Sequence, residues 1–288
     1  MGRFKEFLRI LQNKNPKPST PGVSPGLTPN ASRPQSAISD MPPKSTVIVP
    51  LYMYPLDEST WEPLHKAIDN NPDLHFLIVI NPNSGPGEPP APDANYSREL
   101  PLFNTKENVT TVGYVRMQYC KRSIEKVYDD VAVYAGWSKD HDSNGIYVEG
   151  IFLDEAPNEW TAPIGTYLNS VSEKIKGTAG ILGRKLVIHN PGTIPDEQLT
   201  RERPDVTAVF EESYARYRAC GKNEQAALDA YARSGATYIL HSVPRNQVQA
   251  VVRELRPRAE YIFVTDRQKK YYEGFGDSWS DFIRAMGE

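Results

Sequence analysis

The sequence has few of the features that mark membrane, nucleic-acid-binding and disulfide-rich proteins. Its 288 residues include only two cysteines, Cys120 and Cys220, which cannot build a disulfide framework and which we expect to be free thiols. Basic and acidic residues nearly balance at 33 and 36, so the concentrated positive face that nucleic acid requires is missing. No window approaches the roughly 18 consecutive apolar residues of a membrane span. These absences favour a globular protein that binds no nucleic acid and has no transmembrane span.

Two further absences concern metals and cofactors. His and Cys nowhere recur at the spacing of a zinc site. The acidic turn at residues 140–145 resembles the start of a calcium loop, but Ile151 stands at the twelfth position, where such a loop has Glu. No glycine fingerprint for a dinucleotide follows the first predicted strand. We therefore predict neither a metal nor a cofactor.

Residues 1–44 differ in composition from the rest of the chain. Eight prolines stand there among Ser, Thr, Gly and Asn, and such a segment buries too little apolar surface to offset chain entropy. We predict a disordered leader over 1–44 and one domain over 45–288. In residues 3–14, apolar residues recur at helical spacing between basic ones, a pattern that would suit weak contact with a membrane surface or a partner. A frayed terminus is the simpler interpretation, and we prefer it.

From residue 45 onward, apolar runs of strand length alternate with helical periodicity. The predicted strands are 46–52, 75–80, 109–115, 150–154, 185–189, 206–210, 236–241 and 261–264. The predicted helices include 58–70, 123–137, 164–176, 246–255 and 279–286. Eight strand–helix units indicate an α/β protein, a single (β/α)₈ TIM-type barrel, which typically takes roughly 250 residues. The alternative is an open doubly wound sheet, and the missing glycine fingerprint counts against it.

Two of the predicted strands end in adjacent carboxylates. Asp154 and Glu155 follow one apolar run, and Glu211 and Glu212 follow another. In an α/β barrel the C-terminal strand ends build the active site, and alternate strands contribute to the same layer. Asp154 and Glu211 are therefore predicted to face each other across the mouth, as cleavage of a glycosidic bond requires. Acidic residues also end strands simply to cap the next helix, and the residues alone leave that alternative open.

Seven short motifs follow one another in a recognisable order. They are Ile80-Asn81-Pro82-Asn83-Ser84-Gly85-Pro86-Gly87, Gly113-Tyr114-Val115, Tyr134-Ala135-Gly136-Trp137, Gly150-Ile151-Phe152-Leu153-Asp154-Glu155, His189-Asn190-Pro191-Gly192-Thr193, Val209-Phe210-Glu211 and Val264-Thr265-Asp266. Together they resemble the spherulation-specific family of spherulin-4-like proteins, also glycoside hydrolase family 135. The resemblance implies a TIM-type barrel and endo-acting hydrolysis of α-1,4-linked N-acetylgalactosamine in fungal galactosaminogalactan. By that resemblance, Asp154, Glu155 and Glu211 match the acidic site residues of the family.

We assign Asp154 as the nucleophile, Glu211 as the acid/base and Glu155 as a support that orients or tunes them. The candidates for substrate binding end other strands or lie in a loop beside the mouth, and they are His189, Asn190, Asn81, Tyr52, Tyr114, Trp160 and His241. His189 and Asn190 could hold a sugar hydroxyl or the acetamido group, although a core role for the histidine is equally plausible. Trp160 follows Asp154 in the chain, where a stacking platform for a sugar would be useful.

The expected partner is therefore a polysaccharide substrate. Two alternatives stay open, namely a hydrolase of deacetylated galactosamine polymer and a carbohydrate-binding or stage-specific structural protein without turnover. No secretory signal is visible after Met1, because an unbroken apolar stretch and a small-residue cleavage site are both missing. By sequence the expected location is cytoplasmic, whereas members of the resembled family are usually secreted or surface-anchored, so the compartment is left undetermined.

Overall fold

Eight parallel strands form a closed barrel in this structure, a computed structural model that describes residues 43–201 and 204–288. The strands are β1 Thr46–Leu51, β2 Phe76–Ile80, β3 Val109–Arg116, β4 Gly150–Asp154, β5 Leu186–Asn190, β6 Val206–Ser213, β7 Ala236–His241 and β8 Tyr261–Val264. Each strand pairs with the next in the sequence, and β8 pairs back onto β1. The predicted TIM-type barrel is thus confirmed. The predictions for the leader and for residues 3–14 fall, except for residues 43 and 44, outside the described residues.

Helices follow the strands and cover the outside of the barrel. In the described part of the chain they are α1 Glu62–Asn70, α2 Ala94–Asn104, α3 Ile124–Trp137, α4 His141–Asn144, α5 Ala162–Gly177, α6 Glu197–Arg201, α7 Tyr214–Arg218, α8 Lys222–Ala230, α9 Val248–Leu255 and α10 Trp279–Gly287. Each longer helix turns an apolar stripe toward the strands, as α9 does with Val248, Val251 and Val252. Within residues 43–201 and 204–288, no helix has the length and apolar character that crossing a membrane requires.

Most predicted boundaries differ from the structure by two residues at most, and two larger differences have identifiable reasons. Helix α1 begins at Glu62 rather than 58, because Asp57 Oδ1 accepts hydrogen bonds from the backbone N–H groups of Ser59 and Thr60 and holds a turn there. Strand β6 runs three residues beyond the predicted 206–210 and carries Glu211 inside it. Its register against β7 shifts between residues 208 and 210, and this irregularity helps to set the direction of Glu211.

One buried tyrosine links helix α3 to two strands that lead to the polar mouth of the barrel. The hydroxyl of Tyr134 on α3 lies 3.0 Å from the carbonyl oxygens of both Ile80 and Tyr114, at the ends of β2 and β3. Its ring occupies the space beside Gly113, where a Cβ would lie 2.7 Å from ring carbons. Glycine at position 113 therefore lets the helix approach closely enough to hold both strand ends.

Gly150 allows an equally close approach at the start of β4. A Cβ there would lie 2.5 Å from the carbonyl oxygen and 2.8 Å from the nitrogen of Leu186, and backbone cannot swing aside as a flexible side chain can. We expect Gly150→Ala to lower the free energy of unfolding by about 1–3 kcal/mol, measured by urea denaturation.

Gly177 at the end of α5 provides the matched control, because a Cβ there would meet nothing within 4 Å. Gly177→Ala should leave stability unchanged or raise it by up to about 1 kcal/mol. Equal stability of the wild type and Gly150→Ala would contradict the proposed clash.

Candidate active site

One amide bridges two carboxylates at the C-terminal end of the barrel. Asp154 ends β4, Asn190 ends β5, and Glu211 lies near the end of β6. Asn190 Nδ2 donates to Asp154 Oδ1 at 2.7 Å and to Glu211 Oε2 at 2.6 Å, while its Oδ1 accepts from the backbone N–H of Gly192 at 3.1 Å. The two carboxylate oxygens can be no further apart than these two bond lengths end to end, about 5.3 Å. The structure thus brings Asp154 and Glu211 together at the mouth, as their positions at strand ends predict.

Two tyrosine hydroxyls occupy the remaining carboxylate oxygens. Tyr114 on β3 donates to Asp154 Oδ2 at 2.6 Å, and Tyr271, in the loop after β8, donates to Glu211 Oε1 at 2.5 Å. Sequence reasoning found Tyr114 at a strand end but missed Tyr271, which stands inside a long loop. The only indication in the sequence was its place in a loop after a strand, because the loops that follow the strands of such a barrel build its active site.

Burial dominates the electrostatics of both carboxyl groups. Desolvation raises the pKa of Asp154 and the pKa of Glu211, and the charge of Asp154 raises that of Glu211 further. The hydrogen bonds from tyrosine and Asn190 act in the opposite direction and lower both pKa values. In such surroundings a pair of neighbouring carboxyl groups tends to hold one proton, so that one group is the acid and the other is ionised.

Glu155 lies beside this pair without joining the bridge. Its backbone is left-handed, with φ +53°, and its N–H group hydrogen-bonds to Asp154, which lowers the pKa of that carboxyl. Its own carboxylate is bonded to Arg116, at 3.0 Å from Nε and 2.9 Å from Nη2. Strained non-glycine residues concentrate at functional sites, where the surrounding structure holds them. Glu155 thus fixes Asp154 through its main chain and balances Arg116 through its side chain.

Aromatic rings enclose the carboxylates on the side of β1 and β7. The ring of Tyr52, just after β1, meets Tyr114 edge-on at 5.3 Å and Tyr272 at 4.9 Å between centroids. His241, at the end of β7, stacks on Tyr271 at 4.6 Å with the planes 10° apart. Burial and the charges of the carboxylates raise the pKa of Tyr52 well above its ordinary value. The structure therefore brings the predicted Tyr52 and His241 to the same mouth as the carboxylates.

Asn81 and Trp160 are not hydrogen-bonded to either carboxylate. Asn81 Oδ1 accepts from the N–H of Gly85 at 3.3 Å and closes the loop after β2. Trp160 lies in the loop after β4 with 39% of its surface exposed, and its backbone N–H donates to Asp196 Oδ2 at 2.7 Å. Their roles in substrate binding stay predictions.

His189 faces away from the mouth, so the prediction that it shares a pocket with Asn190 is wrong. Consecutive residues of a strand point to opposite faces, and Asn190 points at the carboxylates. His189 is only 4% exposed, and its Nε2 has no hydrogen-bond partner among the described residues. Burial lowers its pKa to about 4, with a smaller opposing effect from the charge of Asp205 before β6.

Comparisons with known protein families and solved structures identify the family of the chain. Spherulation-specific family 4 matches residues 46–286, which is most of the chain. The chain belongs to this family. A crystal structure of Aspergillus clavatus Sph3 in complex with GalNAc is 39% identical in sequence, with a TM-score of 0.80 over 85% of this chain and 98% of that one. No curated protein matches the chain.

The two cysteines of this spherulin-4 family member take no part in the hydrogen bonds of the bridge. Cys120 and Cys220 are both free thiols and partly buried. Among residues 43–201 and 204–288, no three His, Cys, Asp or Glu side chains are grouped so as to hold a metal ion. The chemistry that the described site can perform directly is proton transfer and carboxylate attack by Asp154 and Glu211.

The buried His189 should make the fold sensitive to acid. An exposed histidine in the unfolded chain binds a proton near pH 6.5, whereas the folded pKa is about 4, so the unfolded state gains protons first as the pH falls. Stability from this group is complete above about pH 6.5 and declines towards pH 4, by about 3 kcal/mol in total. Urea denaturation at several pH values measures the decline.

His189→Leu should flatten this part of the stability profile, because leucine does not titrate. His75→Gln is the control, since His75 is exposed and its replacement should leave the profile in place. An unchanged profile in His189→Leu would show that other groups cause the acid sensitivity.

Proposed function

We propose that this chain is a retaining, endo-acting glycoside hydrolase that cleaves α-1,4-linked N-acetylgalactosamine in galactosaminogalactan-type polysaccharide. The observation that carries the proposal is the Asn190 bridge, which holds oxygens of Asp154 and Glu211 within about 5.3 Å. Carboxyl groups of retaining glycosidases lie about 5–5.5 Å apart, and those of inverting enzymes roughly 6.5–9.5 Å apart. The likeness to Sph3 in complex with GalNAc supports the choice of sugar, and the motif resemblance supports membership of glycoside hydrolase family 135.

Asp154 is the proposed nucleophile. Its carboxylate accepts from Tyr114, Asn190 and the N–H of Glu155, three donors that favour the ionised form needed for attack. An α-linked 2-acetamido sugar holds its amide on the same face as the leaving group. The substrate cannot assist from the opposite face, so the enzyme must supply the nucleophile.

Glu211 is the proposed acid/base. Its burial and the charge of Asp154 favour the protonated form before the reaction. As Asp154 attacks the anomeric carbon, the bond to the glycosidic oxygen breaks and Glu211 gives that oxygen its proton. Glu211 then takes a proton from water, the resulting oxygen nucleophile attacks the anomeric carbon, and the bond to Asp154 breaks. The two steps restore both carboxyl groups and retain the configuration.

Residues around the bridge are proposed to hold the sugar chain. Tyr52 and His241 present rings beside the carboxylates, where they can pack against sugar faces. Asn190 contributes its amide at the centre, and Asn81 lies in the loop after β2. Trp160 offers an exposed ring in the loop after β4 for a neighbouring sugar unit.

The proposal is tested by incubating the purified protein with defined α-1,4-linked N-acetylgalactosamine oligosaccharides and with their deacetylated counterparts. Mass spectrometry should show internal cleavage of the acetylated chains, and proton NMR should show the α anomer appearing first. Early release of the β anomer would indicate inversion instead. Cleavage confined to deacetylated chains would favour the galactosamine alternative, and binding without cleavage of either polymer would favour a carbohydrate-binding protein.

A further inference from the structure

The loop that carries Tyr271, residues 265–278 between β8 and α10, follows a path fixed by local contacts. Gly276 has φ +72° and packs on Asp266, since a Cβ there would lie 2.4 Å from Asp266 Oδ1. Ser278 Oγ donates to the same Oδ1 at 3.1 Å and accepts from the N–H of Asp266 at 3.1 Å. The loop is therefore built to hold its tyrosines in place rather than to let them move freely.

The ring of Tyr271 is held on two sides. His241 stacks flat against it, and Tyr272 meets it edge-on at 4.8 Å between centroids. Tyr272 is in turn tied to the start of the barrel, because its carbonyl oxygen accepts from the N–H of Tyr52 at 3.3 Å. These contacts leave the hydroxyl of Tyr271 aimed at Glu211 with little freedom to turn away.

The donors on the two oxygens of Glu211 differ in kind. An amide NH₂ group can only donate, whereas a phenol hydroxyl can both donate and accept. The Asn190 contact at Oε2 therefore stabilises the ionised form of Glu211 and not the protonated form. The Tyr271 contact at Oε1 can persist in both protonation states, since the hydroxyl can donate to the carboxylate and accept from the acid.

We propose that Tyr271 is a positioning residue that holds Glu211 in the orientation from which Glu211 gives and recovers its proton. The proposal rests on the proposed function, in which Glu211 is the acid/base. Tyr271 acts on the substrate only through the carboxyl group of Glu211, which its hydroxyl contacts. The stack of its ring on His241 keeps the hydroxyl directed at Glu211 during both proton transfers.

The direction of the pH effect follows from the groups around Glu211. Asp154 from β4, Glu212 from the same strand, Tyr52 from the loop after β1 and Tyr271 from the loop after β8 all face or influence this carboxyl. The Tyr271 hydroxyl lowers the pKa of Glu211. Its removal should therefore raise that pKa and move the basic limb of the pH profile, where the acid loses its proton, to higher pH.

The test compares Tyr271→Phe with Tyr272→Phe. Both variants lose one hydroxyl from neighbouring rings, but the hydroxyl of Tyr272 makes no hydrogen bond within the described residues. For Tyr271→Phe we expect kcat on the oligosaccharide to fall on the order of 10–10²-fold and the basic limb of kcat/KM to move up. Tyr272→Phe should keep the basic limb of the wild type. Coinciding profiles for wild type and Tyr271→Phe would overturn the proposal.

A measurement without turnover separates this proposal from the proposed function. Carboxyl groups of ¹³C-labelled glutamate can be titrated by NMR, with the Glu211 signal assigned by its loss in Glu211→Gln. If Tyr271→Phe raises the pKa of Glu211 while Tyr272→Phe does not, the contact is supported even where no polymer is cleaved. If neither variant moves it, Tyr271 does not act on Glu211, whatever the enzyme hydrolyses.

Discussion

Asp154→Asn should lower the rate at which α-1,4-N-acetylgalactosamine oligomers are cleaved by at least about 10²–10⁴-fold. The substitution preserves the shape of the side chain and leaves an oxygen to accept from Tyr114 or Asn190, but a neutral amide cannot attack the anomeric carbon as a carboxylate does. The loss should appear equally on natural oligosaccharides and on aryl glycosides, because both need the nucleophile. Initial rates on both substrates measure it.

Glu155→Gln is the companion variant for this prediction. Glu155 contacts Asp154 through its backbone N–H, which the substitution keeps, and loses only the charge that pairs with Arg116. We expect a smaller loss than in Asp154→Asn. Full activity of Asp154→Asn would place the nucleophile elsewhere.

Glu211→Gln should lower the rate of cleavage of natural oligosaccharides by a similar factor, about 10²–10⁴-fold, because glutamine cannot act as the acid that protonates the leaving oxygen. An activated aryl leaving group needs no such proton. Activity of Glu211→Gln on an aryl glycoside should therefore partly recover, whereas that of Asp154→Asn should not. Rates on the two substrates, compared within each variant, distinguish the acid from the nucleophile.

Glu212→Gln is the matched control for Glu211→Gln. Glu212 is the next residue of β6, is exposed, and accepts only from the N–H of Ser213 at 3.0 Å among the hydrogen bonds described. Its charge raises the pKa of Glu211 less than burial or the charge of Asp154 does, so its replacement should keep activity on both substrates close to that of the wild type. If Asp154→Asn rather than Glu211→Gln recovered on the aryl glycoside, the two roles would be reversed.

The barrel was predictable from the sequence because each strand contains a short apolar run, as is usual for strands covered on both faces. The carboxylates were predictable for a related reason. Asp154 directly follows such a run at the end of β4, and Glu211 follows another in β6, the next strand but one. A charge that stands where apolar residues are expected points to a site even without coordinates.

Other parts of the site depend on facts that a linear pattern does not hold. The prediction placed His189 and Asn190, which close the fifth strand, in one pocket, although consecutive strand residues point to opposite faces. Which of the two faces the mouth depends on the register of β5 against β4, where Asp154 lies opposite Asn190. The position of Tyr271 follows from loop contacts between residues far apart in sequence, such as the stack on His241. No periodicity marks a residue of this kind.

The barrel closes where β1 meets β8, through the pairing of Thr46 with Tyr261 and of Val47 with Ile262. The mouth is completed across the same junction, because Tyr52 follows the first strand and Tyr271 follows the last. During synthesis on a ribosome, both carboxylates emerge well before the tyrosine that contacts Glu211. A nascent or truncated chain therefore carries the acidic pair without its enclosure, and the complete pocket forms only once nearly the whole domain has left the exit tunnel.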